Sequence, residues 1–475
     1  DYGNLDNFRE LVAAAHQRGL RVVVELIPNH TSDQNAWFQA SRDPAHPEHA
    51  KYRDWYVWSE DNTKYRDARI IFIDYEPSNW SWDAKRGAYY WHRFFDHQPD
   101  LNYDNLAVQQ AMLRAVQFWI DLGVDGFRVD ATPYLYEREG TNCENLPETH
   151  AFLKRLRAFV DAYAPGTMLL SEANQWPEDV RPYFGDGDEF HMSFHFPLMP
   201  RIFMALARGE RSSIDEILAR TPPLPDNCQW GIFLRCHDEL TLEMVTPEER
   251  TFMWDFYAPE PRMRLNLGIR RRLAPLLGND PARLALANSL LLTLPGSPVL
   301  YYGDEIGMGD NVDLEDRDGV RTPMQWQSGP NAGFSTAAAD RLYLPPIAGA
   351  EFGYQHVNVA AERGDPDSPV NRLRRMIAMR REHPAFGRGE SDFLQPANLS
   401  ALAYVRSFPA DTIVVVNNLS AAPQAVELDL AAYAGRQPVD LFSGERLTPL
   451  TQASLSLNLA PYEFRWLRLE EMPHE

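Results

Sequence analysis

Cysteine is scarce in these 475 residues. The three present, Cys143, Cys228 and Cys236, are odd in number and far apart, which excludes a disulfide-stapled framework and points to a reducing compartment, the cytoplasm. Long apolar runs are missing too. The longest candidate, LALANSLLLTLPGSPVLYY, is interrupted by Asn288, Ser289, Pro295, Gly296 and Pro298 and reads as helix, turn and strand, so no membrane span is expected. Basic charge is outnumbered: 46 Lys and Arg stand against 67 Asp and Glu, and the net charge of -21 repels nucleic acid and anionic membrane surfaces alike. The partner left by these exclusions is a neutral small molecule, with a homo-oligomer still open. No glycine-rich dinucleotide fingerprint follows any strand candidate, which weakens an open doubly wound sheet, and no organic cofactor is expected. His191 and His195 lack the HExxH pattern and, between Phe194 and Phe196, read as packed core rather than zinc ligands.

What is present is alternation. In LDNFRELVAAAHQRG, residues Leu5, Phe8, Leu11, Val12 and Ala15 share a helical face, and the strand candidate RVVVELI follows. Asp104 and Asn105 offer caps for a helix whose face is Val108, Met112, Val116, Trp119 and Ile120, and GFRV follows. The pattern continues through a helix near 147–163, TMLLSEAN, EFHMSFHF, WGIFLRCHDEL, a helix near 281–293 and PVLYYGDEIG. Six strand candidates separated by helices predict an α/β fold with a parallel sheet, and the length favours a (β/α)8 barrel. Residues 31–105 interrupt it with an insert rich in tryptophan, and from 388 to 475 short alternating strands predict an antiparallel β-sandwich. The barrel then comprises 1–30 and 106–387.

Three strand candidates lead to an acid: Asp130 after GFRV, Glu172 after MLLS and Asp238 after FLRCH. In an α/β barrel all strand C-termini face one way, so acids distant in sequence converge. Retaining glycoside chemistry uses such a set, with one carboxylate as nucleophile and one as proton donor about 5 to 5.5 Å apart. Here Asp130 attacks the anomeric carbon, and Arg128, two residues earlier and so on the same side of the strand, orients it. Glu172 is the acid/base, its pKa raised by burial and like charges, and Asp238 stabilises the electron-poor sugar. His30 and His237 can bond sugar hydroxyls while neutral. A lone Asp at a strand end is more often a cap or an ion-pair partner, so the weight lies on the set of three.

With these residues in place, VVVELIPNH, QPDLN, GFRVD, LLSEAN and LRCHDE resemble, in order, the signature segments of the α-amylase superfamily. NHTSDQNAWF, EANQWPEDVRPYFGDGDE, HDELTLEMV, RMRLNLGIRRRLAPLL and YYGDEIGMGDNVDLEDRDGVRTPMQW resemble the members that interconvert maltose and trehalose by intramolecular glucosyl transfer. The resemblance implies Asp130 as nucleophile, Glu172 as acid/base and Asp238 as transition-state stabiliser. It also implies sugar contacts at His30, Arg128, His237 and Arg321, and Glu25 departs from the Asp of many relatives. It further implies a calcium ion held by Asn29, Asp100, Glu137 and the carbonyls of Tyr134 and Leu135, an all-oxygen set suited to a hard cation.

Isomerisation requires the freed glucose to stay while water is excluded. Arg69 of the insert and Glu243 are candidates for a charged latch, with Asn174 and Glu239 binding the retained glucose; their bland alternative is solvated surface charge. Family barrels carry two strands and a helix ahead of the segment matching DYGNLDNF, so the expectation is an N-terminally incomplete barrel, a fragment of a longer enzyme. A hydrolytic α-glucosidase or oligo-1,6-glucosidase shares all three acids and stays open. So does a non-catalytic, sugar-binding amylase-like scaffold.

Overall fold

The computed structural model describes residues 3–450 and 454–472, so both ends of the expected domain ranges lie outside the described residues. The chain divides into two compact units, residues 1–194 with 222–229, and residues 195–221 with 230–475.

In the first unit, strands β1 (Val23–Leu26), β2 (Gly126–Val129), β3 (Met168–Ser171) and β4 (Met192–Phe194) run parallel in that order, pairing Glu25 with Arg128 and Val129 with Ser171 in register. Helices α1 (Leu5–Gln17), α2 (Leu106–Asp121) and α3 (Pro147–Tyr163) separate them. Asn4 caps α1, its side chain accepting from the N–H groups of Asp6 and Asn7. Of the predicted apolar face of α1 only Val12 is buried, while Leu5 and Leu11 are exposed. Helix α2 buries Val108, Met112 and Val116 as expected, but Asn105 alone caps it. Asp104 instead accepts two hydrogen bonds from Arg138, at 3.0 and 2.8 Å, because a guanidinium fork outcompetes an N-terminal amide for a carboxylate.

The insert builds a three-stranded antiparallel sheet from Trp58–Ser59, Ala88–Trp91 and Trp80–Asp83. Its core is Val57, Ala68, Trp80, Trp91 and Cys143, with the Trp80 and Trp91 rings 5.0 Å apart, edge to face.

In the second unit, helices α4 (Leu198–Arg208) and α5 (Ser212–Arg220) precede β5 (Gln229–Phe233, its last four residues here), then α6 (Pro281–Thr293), β6 (Ser297–Val299) and α7 (Pro369–Glu382). β5 and β6 are parallel neighbours. The strand predicted over PVLYYGDEIG ends at Val299; Gly303, in the left-handed region at φ 88°, turns the chain away.

Seven strands follow: β7 (Glu390–Leu394), β8 (Ala401–Phe408), β9 (Asp411–Asn418), β10 (Gln424–Asp429), β11 (Arg436–Asp440), β12 (Ser454–Leu459) and β13 (Phe464–Glu471). They form an antiparallel sheet β7-β8-β9-β13-β11 and a pair β10-β12. Val405, Val414 and Val416 of the first pack with Val426, Leu428 and Leu455 of the second in one sandwich core. Buried polar bonds fasten the sandwich to the helices of its unit. The Trp466 indole N–H donates to Ser289 on α6 at 2.9 Å, and Arg211 donates to the carbonyls of Asn398 and Ala401 at 2.9 and 3.1 Å.

Asp125, one residue before β2, joins α1 and β1 to the second strand. It accepts from the backbone N–H of Val22 at 2.8 Å, His16 at 2.7 Å and Arg21 at 2.7 Å. Burial pushes its pKa up, but the Val22 N–H, His16 and Arg21 outweigh it and hold the carboxyl down at about 2. The depressed pKa means that its stabilisation is present above the unfolded value near 4 and disappears as pH falls through about 2. Asp125→Asn is therefore expected to cost about 1 to 3 kcal/mol at pH 6. Urea unfolding of both proteins between pH 6 and 3 should show the gap closing; a gap independent of pH would remove the ionic role.

Candidate active site

The C-terminal ends of β2 and β3 carry Asp130 and Glu172, the acids expected to form the reacting pair. Asp130 directly follows Val129, and its N–H donates to Leu26 O at 2.9 Å; Glu172 directly follows Ser171, and its N–H donates to Val129 O at 3.0 Å. The two acids thus extend a parallel ladder by one residue each on neighbouring strands. Strands in such a ladder lie about 4.8 Å apart, close to the carboxylate separation that a retaining mechanism requires.

Arg128 binds this edge together. Its Nη1 donates to Asp130 Oδ1 at 2.8 Å and to Glu25 Oε1, and its Nη2 pairs with Glu172. The Asp130, Glu172 and Arg128 side chains are 23, 16 and 15% exposed, enough access for a ligand and enough burial for strong fields. Ala131, next in the chain, is left-handed at φ 54°, a strained conformation for a residue with a Cβ. It turns the backbone into the buried segment Thr132–Tyr134, where the Thr132 hydroxyl donates to Glu172 O at 3.1 Å. Glu25 is thereby given a role: its side chain reaches Arg128 from the facing register position.

His30 follows β1 and is buried. Burial, then the charge of His97, lowers its pKa to about 4, so it is a neutral ring at physiological pH. Beside it lie the residues expected to hold a cation. Asn29 Oδ1, Asp100 Oδ2 and Glu137 Oε1 are buried and lack a hydrogen-bond partner. Burial pushes Asp100 up to about 8; burial and the Asp100 charge push Glu137 well above the carboxylate range. Tyr134 and Leu135 are buried in the same segment. Orphaned buried oxygens with repelling charges fit a hard cation. No group of three or more His, Cys, Asp or Glu in metal-binding disposition occurs among the described residues, so such an ion would lean on amide and carbonyl oxygens.

Arg69 donates from Nε to Glu144 at 2.9 Å and from Nη2 to Tyr134 OH at 3.3 Å. Asn174 lies two residues past Glu172, half-buried.

In the second unit Asp238 does not end a strand: β5 stops at Phe233, and a five-residue loop extension carries the acid. Arginines hold it there. Arg317 Nη1 donates to Asp238 Oδ1 at 3.0 Å and Arg321 Nη2 to the same oxygen at 2.8 Å, while Arg235 donates to the Asp238 carbonyl at 2.7 Å. Arg321 also donates to His237 O at 2.8 Å, and His237 Nε2 lies 3.3 Å from Asp238 Oδ2. Glu239 accepts from Asn266 at 3.2 Å, with Arg317 4.0 Å away. Burial pushes Glu239 up to about 7 against the pull of Arg317, and the Asp238 charge adds to the rise. A Cβ on Gly268 would meet the Glu239 side chain at 2.5 Å, so glycine is required for this approach. Glu243 stands two residues beyond β-bridged Thr241 in the same unit.

Arg317 was not singled out by sequence reasoning. Between Asp316 and Asp318 it looks like part of a solvated charge run, and its link to Asp238 spans 79 positions. The one available signal was the DRDGVR stretch ahead of Arg321.

Comparison with known proteins places the chain in a family. Residues 1–247 and 270–389 match the model of the alpha amylase catalytic domain, and residues 392–466 match the maltogenic amylase C-terminal domain. The chain is 58% identical over 477 residues to Trehalose synthase/amylase TreS of Mycobacterium tuberculosis, covering 99% of this chain and 79% of the relative. It is 56% identical over 485 residues to Trehalose synthase of Pimelobacter sp., covering 99% and 84%. A solved α-amylase from H. orenii superposes with a TM-score of 0.76 at 26% identity, covering 99% of this chain and 84% of the other.

Replacing Arg317 with Leu leaves Glu239 without its cation and Asp238 with one arginine fewer. Removing one partner from a buried charged cluster costs about 3 to 5 kcal/mol. Glu239 takes up a proton below about 7, so the loss should be larger at pH 8 than at pH 5. Denaturant unfolding at both values checks the sign, and an equal loss at both would exclude Glu239 as the paired group.

Proposed function

We propose, from the premise that this chain belongs to the α-amylase family and within it to the trehalose synthases, that it interconverts maltose and trehalose by intramolecular glucosyl transfer with retention. The observation that carries this reading is the Arg128 cluster, which brings Asp130 and Glu172 to adjacent strand ends under one guanidinium. In the proposed sequence Asp130 attacks the anomeric carbon of the non-reducing glucose while Glu172 gives its proton to the departing glycosidic oxygen. The products of this half are a glucosyl ester on Asp130 and a free glucose. Glu172, now a carboxylate, takes the proton from the anomeric hydroxyl of the re-oriented glucose as that oxygen displaces Asp130. Asp238, held in place by Arg317 and Arg321, acts on the positive charge that develops on the ring. Neutral His30, with His237, Asn174 and Glu239, supplies hydroxyl contacts.

Hydrolysis is the same chemistry with water in place of glucose, so the balance depends on what keeps water out. Arg69 and Glu243 are assigned to that cover. Calcium, held by Asn29, Asp100, Glu137 and the carbonyls of Tyr134 and Leu135, would supply positive charge to buried acids. The three free cysteines support a cytoplasmic setting. Among the described residues no helix is long and apolar enough to cross a membrane.

Incubation of the protein with maltose should yield trehalose in excess of glucose, and Asp130→Asn should abolish both products; glucose alone from the unaltered protein would favour the hydrolytic α-glucosidase reading. Arg69→Ala should raise the glucose share, and an unchanged ratio would remove Arg69 from the cover. Chelator-treated protein should gain thermal stability on addition of calcium, and Asn29→Ala should remove that gain; no gain in the unaltered protein would remove the ion.

A further inference from the structure

Glu144 belongs to none of the motifs above, yet it joins three distant segments. Its Oε1 accepts from Arg69 Nε at 2.9 Å and from Arg93 Nη2 at 2.6 Å, and its Oε2 accepts from Gln175 Nε2 at 3.1 Å. Both arginines come from the insert, and Gln175 lies three residues after Glu172. The Glu144 and Arg93 side chains are 7 and 1% exposed, against 36% for Arg69. One carboxylate therefore neutralises a buried guanidinium and grips the inner edge of a second one that reaches outward.

The loop that presents Glu144 is strained for this purpose. Cys143 and Asn145, on either side of it, are both left-handed, at φ 57° and 56°. Asn145 works beside Glu144: its Nδ2 donates to Gln175 Oε1 at 2.6 Å, so the Gln175 amide is held on both sides by consecutive residues. The Asn145 N–H donates to Pro133 O at 3.1 Å, three residues beyond Asp130. Through four residues this loop touches the segments following the nucleophile and the acid/base, together with the insert arginine assigned to the cover.

We infer that Glu144 is a positioning residue for glucosyl transfer. It fixes Arg69 relative to the segment that carries Glu172, and so determines whether the freed glucose is kept for the second attack or replaced by water. The inference rests on the isomerase reading above and deepens it. It assigns the partition between transfer and hydrolysis to a buried anion that contacts no sugar.

The test measures glucose and trehalose formed from maltose, together with thermal unfolding, for the unaltered protein, Glu144→Gln, Gln175→Met, Arg69→Ala and the Arg69→Ala/Glu144→Gln pair. Glu144→Gln should raise the glucose-to-trehalose ratio about threefold or more, and the pair should show no further rise over Arg69→Ala, since residues acting through one contact are non-additive. Because Glu144→Gln takes the counter-charge from buried Arg93, Gln175→Met serves as the milder variant. Gln175→Met leaves both arginine pairs in place, removes only the tie to the Glu172 segment, and should raise the ratio as well. A folded Glu144→Gln with the unaltered ratio overturns the inference, as does a rise that adds in full to that of Arg69→Ala. Should Glu144→Gln not fold, an unchanged ratio in Gln175→Met overturns it. An unaltered protein that forms no trehalose overturns the isomerase reading and this inference with it; trehalose formation with unchanged variants overturns this inference alone.

Discussion

A single guanidinium under three carboxylates is the constraint from which the first unit is organised. Glu25, Asp130 and Glu172 all lie within reach of the Arg128 guanidinium, which pairs with each of them. For one side chain to reach all three, the acids must come from adjacent strands pointing the same way. A parallel order of β1, β2 and β3 with β2 in the middle provides that. Arg128 sits on the central strand, so its fork extends to both sides. Gly126 permits the close spacing, since a Cβ there would meet the Met168 carbonyl oxygen at 2.8 Å. Lysine would bring its donors to a single nitrogen, without the planar fork whose two ends face different acids here.

The second unit solves the same problem differently. Asp238 is carried on a loop beyond β5 rather than on a strand end, and two arginines converge on one of its oxygens. Arg317 is itself shared with Glu239, so the charge on either acid alters the field at the other. Burying such groups contributes little net stability, because desolvation offsets most of the attraction. Their effect is on orientation. The protein as a whole carries a net charge of -21, and local cations let acids be concentrated at the site against that background.

How much of this was legible in the sequence depends on the range of the interaction. Helices α3 and α6 coincide with the ranges expected from periodicity, because each carries its own signals, a proline at the first position and a continuous buried face. Asp130 and Glu172 were legible because each follows its strand without a gap. Asp238 was found through its motif, although the strand assigned to it stops earlier. The helix of α1 was legible but the cover over its apolar face was not, since a periodic face records only what a helix can bury; Leu11 remains 59% exposed. Asp104 had the composition of a cap and was taken instead by an arginine 34 residues away. Glu144 left no local mark and Arg317 only the charged stretch around it, as their partners lie 75 and 79 positions distant.

The position of Glu144 also gives the aromatic insert a structural use. Its core packs Trp80 and Trp91 against Cys143, the left-handed residue directly before Glu144. Strained backbone persists only where its surroundings over-determine it, and an apolar cluster closing on a buried thiol does so without adding charge. The same insert contributes Arg69 and Arg93, so the element that supplies the two cations also braces the anion that receives them. Aromatic content of the insert is thereby connected, through one loop of ordinary length, to the segments that follow Asp130 and Glu172.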